Sequence, residues 1–360
     1  MAFPFTGARA AVLCTVFTAA SLSVHTPFGA IAQQQDHATG LRPKDAKGND
    51  APLPASAVKN PTLWHQPENI ASLDLFYGQG GKDKQPVAPF TFLEEDMNGT
   101  NPKMDVRDAD GKKWRVKEGE EARPEVAASR LLWAVGFYVN DDYVLPTGTV
   151  TGVTMKRGSR EMKAGELKDV RFSRKPGGQD KIGIWEWASN PFTGTRELNG
   201  LRVMMAVMNN WDLKDVNNSV YADGKTGSQI FLISDVGASF GTNGIGFSKA
   251  RSKGNVDSFK NSGFVEKLTD TTVSFSTPKR PTGVLLASAG TTAMSYKMRS
   301  GLDWIGDNIP RADARWMGSL LGQLTHQQLV DAFRAADFPA DAVNGYVAVV
   351  EGRIAELKKL

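Results

Sequence analysis

The chain is nearly without cysteine and poor in histidine. Cys14 is the only cysteine among 360 residues, and it lies in an N-terminal stretch expected to be removed. Without it there is no disulfide, no thiolate metal site and no cysteine nucleophile. His37, His65 and His326, the histidines beyond that stretch, are too scattered to suggest a zinc site. No later segment reaches the roughly 18 consecutive apolar residues of a membrane helix, so no membrane span is expected after cleavage. Charge of neither sign dominates: 43 Lys and Arg are interspersed with 39 Asp and Glu. Nucleic acid, which calls for a concentrated basic face, is therefore not an expected partner. A Walker A sequence is also absent.

What is present begins with residues 1–32. Arg9 is their only Lys, Arg, Asp or Glu, an apolar run follows from Ala10 to about Ala20, and Ala30-Ile31-Ala32 has a small-x-small cleavage pattern. This is the layout of a signal peptide cleaved near Ala32, and it predicts a secreted or periplasmic protein. Residues 33–60 are polar and contain Pro and Gly, which suggests a flexible tail. Order is expected to begin near Trp64 and Ile70.

Three strands are predicted next, at Phe90–Leu93, Lys103–Arg107 and Lys113–Lys117. Asp108-Ala-Asp-Gly111 forms the turn between the last two. A helix is predicted from about Pro124 to Phe137. Further strands and loops fall at 143–155 and 168–187, and a buried helix at Glu197–Met208. Val220-Tyr221 and Gln229–Ser234 flank Ala-Asp-Gly-Lys-Thr-Gly, a hairpin signal. The remainder reads as mainly helical, with a capping box at Thr325 and Gln328 and a last helix from about Ala342 to Leu357. The chain is thus α+β, strand-rich first and helical afterwards.

The chemistry-bearing residues fit phosphoryl transfer, which needs positioning and charge neutralisation more than covalent chemistry. Strand alternation puts Lys117 and Arg115 opposite Val116, so Lys117 can face a cleft and meet phosphate oxygens. Glu125, in the first turn of the next helix, can hold that lysine; Glu121 competes for the role. Asp212 can accept the proton of an attacking hydroxyl. Asn217 and Asp235 offer hard oxygen ligands for Mg²⁺, with Asn218 an alternative to Asn217. Asp235 leaves the end of an apolar strand, where a carboxylate needs a partner or a cation. Asn98, Gly99, Thr100 and Lys103, in the turn joining the first two strands, can present backbone N–H groups and a cation to phosphate. The Gly78–Gly81 cluster is a second candidate for that loop. Gly237-Ala-Ser239-Phe-Gly241 matches Gly-x-Ser-x-Gly, but loop-like residues follow it where a nucleophile elbow requires a helix.

Asp212-Leu-Lys-Asp-Val-Asn217 resembles the catalytic loop of the protein-kinase-like superfamily, and Asp235-Val-Gly237 resembles its metal-binding Asp-Phe-Gly motif. Val116-Lys117 looks like the lysine of its third strand, and Glu125 like the helix glutamate paired with it. The Asn98–Lys103 turn is closer to the toxin kinases of bacterial persistence modules and to phosphatidylinositol-type kinases. The string Asn190–Leu201 is similar to one carried by a secreted bacterial branch. The chain differs in having Asn210-Trp211 where kinases carry His-Arg, and Val236 in place of Phe. The resemblance implies a two-lobed kinase-like fold, with an N-terminal nucleotide-binding lobe over 61–187 and a C-terminal catalytic lobe over 188–360. It also implies ATP or another nucleoside triphosphate with Mg²⁺ between the lobes, Glu186 and Trp187 in a hinge beside the purine, and a γ-phosphoryl group passed to a hydroxyl acceptor outside the cytoplasm. The alternatives are a secreted pseudokinase, or a non-catalytic protein whose tryptophans (Trp64 and Trp187 among them) line a sugar- or peptide-binding groove.

Overall fold

A computed structural model describes residues 42–46, 48–97, 101–175, 179–210, 212–241, 253–276 and 302–360. The expected signal peptide with Cys14, the start of the expected tail, Asn98, Gly99, Thr100 and Trp211 lie outside the described residues. The described residues form one compact unit. The fold is α+β, with a strand-rich region preceding a helical one.

The strands are β1 (Pro61–Thr62), β2 (Phe90–Glu95), β3 (Lys103–Arg107), β4 (Lys113–Lys117), β5 (Asp141–Thr151), β6 (Glu166–Arg174), β7 (Gln179–Gly183), β8 (Asn218–Asp223), β9 (Gln229–Ile233), β10 (Val265–Leu268), β11 (Thr272–Phe275) and β12 (Ile309–Pro310). The helices are α1 (Ala122–Ala134), α2 (Arg160–Lys163), α3 (Arg196–Val207), α4 (Val256–Lys260), α5 (Arg311–Leu321), α6 (His326–Ala335) and α7 (Ala340–Lys359).

β2-β3-β4-β6-β5 close into a barrel. Alternation decides which residues fill it. Met104 and Val106 of β3, Trp114 and Val116 of β4 and Phe172 of β6 are fully buried inside, with Phe90 and Tyr143. The intervening residues, Lys103, Asp105, Arg115, Lys117, Arg171 and Ser173, therefore face outward. Trp114 buries its indole N–H only because Asp108 accepts it at 2.7 Å.

Helix α1 lies between the barrel strands β5 and β6 on one side and α6 on the other. It is buried almost all round, from Ala122 and Pro124 to Ala134, as its Ala- and Leu-rich sequence requires. A second core joins α1 to the rest of the chain through Leu131, Leu132, Leu201, Met204, Phe231, Phe240, Phe333 and Tyr346. The predicted hairpin forms as β8 and β9, antiparallel, with the Asp223 carboxylate accepting the turn N–H groups of Lys225 and Thr226. The Thr325–Gln328 capping box starts α6.

Three expectations need correction. The described part of the 33–60 tail is docked: Arg42, Lys44 and Lys181 pair with Asp50, and the Leu53 N–H donates to the Ile184 carbonyl. Charge pairing and one inserted leucine supply what low hydrophobicity does not. The boundary expected at residue 187 also shifts. β1 pairs in parallel with β9, and β7 pairs with β8, so both ends of the 61–187 segment belong to the sheet of the C-terminal region. Finally, β10, β11 and β12 form a small sheet within a region read as helical.

Candidate functional site

Lys117 ends β4 on the barrel's outer face and is only 4% exposed. Its ammonium Nζ lies 2.5 Å from Glu121 Oε2, 2.6 Å from Asp235 Oδ1 and 3.4 Å from Glu125 Oε2. Both glutamates contact the same lysine because they sit one turn apart at the start of α1. The sequence left Glu121 and Glu125 as competitors, and the fold uses both. Glu125, 1% exposed, gives its other oxygen to Arg171 Nη1. Glu121 Oε1 meets Lys253 Nζ at 2.5 Å, and Asn101 Nδ2 donates to Glu121 Oε2 at 2.5 Å.

Cross-strand register places three cations side by side. Lys103 of β3 is opposite Lys117 of β4, which is opposite Arg171 of β6. Like charges directly opposite are destabilising, so the interleaved acids Glu121, Glu125 and Asp235 are needed to hold the row. Burial disfavours the Lys117 charge, but Glu125, Asp235 and Glu121 outweigh it and hold the ammonium well above its ordinary range. Burial likewise opposes ionisation of Asp235, yet Lys117, Arg171 and Lys103 bring its carboxyl down to about 2. Its side chain keeps 44% of its surface open and lines a crevice. Lys103 is shifted down by burial, against the pull of Asp96 and Asp235. Burial pushes the Glu125 carboxyl up, and Arg171 and Lys117 pull it back.

Asp235 leaves β9 with a left-handed backbone, φ 54°. Gly237 follows because there is no room for a side chain: a Cβ there would sit 2.6 Å from Glu121 Cβ. That close approach brings the Asp235 segment against the start of α1.

The opposite wall is built after α3. Asn217 Nδ2 donates to the Asp212 carbonyl at 2.8 Å, which fixes the amide and leaves its oxygen as the available donor atom for a metal. The Ser234 N–H and Oγ both donate to the Asn217 carbonyl, at 3.1 and 2.6 Å, so Asn217 lies beside the Asp235 segment. Asp212 Oδ2 pairs with Lys214 at 3.0 Å. Asp212, Asn217 and Asp235 line one crevice, with Trp187, Asn210 and Lys214 among its walls and a free volume of only about 10 Å³. That is room for about one water-sized species, against about 300–1,000 Å³ for a usual small-molecule pocket, so phosphate groups and a nucleotide both require the crevice to widen.

Two features of this site were not visible in the sequence. Arg171 is a strand residue among many and gains meaning only through its register with Lys117. Asn210 was noted as a departure from kinases; its Nδ2 donates to the Val236 carbonyl and Ser239 Oγ, and its Oδ1 accepts the Asp212 N–H. It stitches the Asp212 loop to the Asp235 segment.

The other candidates fall as follows. Backbone groups of Glu186 and Trp187 are engaged within the chain: the Trp187 N–H donates to Asp215, and both carbonyls accept from Asn190. Asn218 donates to the Trp185 carbonyl. Gly78 and Gly80 make room for the Arg130 guanidinium and the Tyr143 hydroxyl, a packing role. Ser239 is fully buried and its Oγ donates to the Val236 carbonyl, so it presents no nucleophile. Among the described residues no group of three or more His, Cys, Asp or Glu is placed to hold a metal; an Asn–Asp pair is a different donor set. Among the described tryptophans Trp114, Trp185 and Trp187 are buried, Trp64, Trp133 and Trp316 are half-buried and Trp304 is exposed. No described helix is long and apolar enough to cross a membrane.

No protein-family model matches the chain, and no curated protein matches it in sequence.

Proposed function

We propose that the protein is an exported, kinase-like phosphotransferase. It takes a nucleoside triphosphate, ATP in the simplest case, with Mg²⁺ in the crevice, and moves the γ-phosphoryl group to a hydroxyl acceptor. The observation that carries this reading is that Asp235, ion-paired with Lys117 of the cation row Lys103–Lys117–Arg171, also lines the crevice shared by Asn217 and Asp212. The residues fit a hard divalent cation: a carboxylate that stays ionised in acid and an amide oxygen set by its own hydrogen bond. Bound there, Mg²⁺ would neutralise phosphate charge.

Lys117 would bind phosphate oxygens, and Asp235, its partner in this structure, would hold the metal. Glu125 and Glu121 hold the lysine at the end of β4. Asp212 accepts the proton of the acceptor hydroxyl, and Lys214 holds that carboxylate through its Oδ2. Asn210 keeps the two loops in register.

A pseudokinase is the second reading. It is favoured by the narrow crevice and by a lysine already saturated with three carboxylates. The two are separated by Mg²⁺-dependent transfer of label from γ-labelled ATP to water or protein hydroxyls. The phosphotransferase reading expects turnover that Asp212→Ala abolishes while Mg-ATP binding survives. Binding without turnover in the wild type would establish the second reading and overturn the first.

A further inference from the structure

We infer that Arg171 is a positioning residue for the phosphate-binding lysine and acts on it through Glu125. The inference rests on the nucleotide-binding reading of the site. Arg171 projects from β6 on the barrel's outer face, beneath α1, because its neighbours Val170 and Phe172 fill the barrel interior. Register sets it directly across from Lys117. Glu125 comes down from α1 between the two cations, one oxygen on Arg171 and the other 3.4 Å from Lys117. A carboxylate held by one oxygen cannot rotate freely about its terminal bond. The Arg171 contact therefore fixes the direction in which Glu125 presents its second oxygen, and hence where the lysine is drawn.

The arrangement is unfavourable as simple packing. Two like charges opposite each other in a ladder repel, and burying four charged groups (Lys117, Arg171, Glu125, and Asp142 at 3.8 Å from Arg171) is often no better than apolar packing of the same volume. What it supplies is direction. Glu121 and Asp235 both contact Lys117 more closely than Glu125 does. Without Arg171, Glu125 keeps Lys117 as its remaining cation but loses its fixed orientation, so the lysine's position relative to Glu121 and Asp235 changes. Arg171 is thus expected to keep the ammonium poised between α1 and the crevice.

The test compares Arg171→Met, which keeps length but removes charge, with Arg171→Lys. Two readouts are taken: the dissociation constant for Mg-ATP, and the ¹⁵N–¹H resonance of the Lys117 ammonium without nucleotide, assigned by its loss in Lys117→Arg. Arg171→Met should weaken Mg-ATP about tenfold, the scale of one lost charge-assisted contact, and shift the ammonium resonance. Arg171→Lys should recover part of both. A purely structural arginine would lower the melting temperature and leave both readouts unchanged, and that result overturns the inference. If the wild type binds no Mg-ATP but the resonance still moves in Arg171→Met, the nucleotide reading fails and the positioning role stands. If Arg171→Met does not fold, Arg171→Gln takes its place and is read against Arg171→Lys in the same way: an ammonium resonance unchanged in Arg171→Gln refutes the role, and one shifted there and partly restored in Arg171→Lys supports it.

Discussion

Replacing Lys117 by Met should destabilise the protein by about 3 kcal/mol at pH 7, the lower end of the range for breaking a buried ion pair. The lysine is 4% exposed, and removing its charge leaves Glu121, Glu125 and Asp235 facing one another. The lower end applies because Asp235 keeps nearly half its side-chain surface open, where solvent screens the repulsion. The deficit should also depend on pH in a defined direction. Lys117 is held above its ordinary value of 10.5, so its contribution is fully present at pH 7. Asp235 is held at about 2 against an ordinary 3.8. Its contribution is present above 3.8 and fades as pH falls towards 2. In Lys117→Met that contribution is gone, and the crowded carboxylates gain from protonation. The gap between the two proteins should therefore be widest near neutrality and narrow below about pH 4. Urea unfolding at pH 7 and pH 3 measures it. A deficit under about 1 kcal/mol at pH 7, or one equally large at both pH values, would refute the electrostatic account of this cluster.

Three further outcomes are expected. Gly237→Ala drives a methyl into Glu121 and should cost about 1–3 kcal/mol in urea unfolding, with loss of any Mg-ATP binding. Asn210→Ala removes bonds to Val236, Ser239 and the Asp212 N–H; a loss of about 2 kcal/mol is expected, with weaker turnover than its stability at assay temperature would explain. Thr325→Ala breaks the capping box of α6 and should cost about 1 kcal/mol while nucleotide binding stays at the wild-type level, a control for stability effects far from the crevice.

Much of the fold was legible because short-range pattern determines it. Alternation in Lys103–Arg107 and Lys113–Lys117 marked β3 and β4 to the residue, and the Asp-Gly turn signals located both hairpins. Lys117, Glu125, Asp212, Asn217 and Asp235 were singled out from residue type and spacing, and the fold brings Lys117 to Glu125 and Asp235, and Asp235 to the crevice shared with Asp212 and Asn217. What sequence could not supply was long-range register. Arg171 becomes significant only when β6 is laid against β4. Asn210 matters only once its side chain spans to Val236 and Ser239. The docking of residues 42–60 depends on Lys181 and Ile184, more than a hundred residues away. The β10–β12 sheet was missed because its strands are short and one of them arrives from a distant part of the chain.

The most direct test is thermal melting of the purified protein with and without Mg-ATP, alongside Asp235→Ala. At 100 times its dissociation constant a ligand of the folded state adds about 2.7 kcal/mol. The crevice predicts a Mg²⁺-dependent rise in melting temperature for the wild type and none for Asp235→Ala. No rise in the wild type, or the same rise in both proteins, contradicts a metal–nucleotide site at Lys117, Asn217 and Asp235.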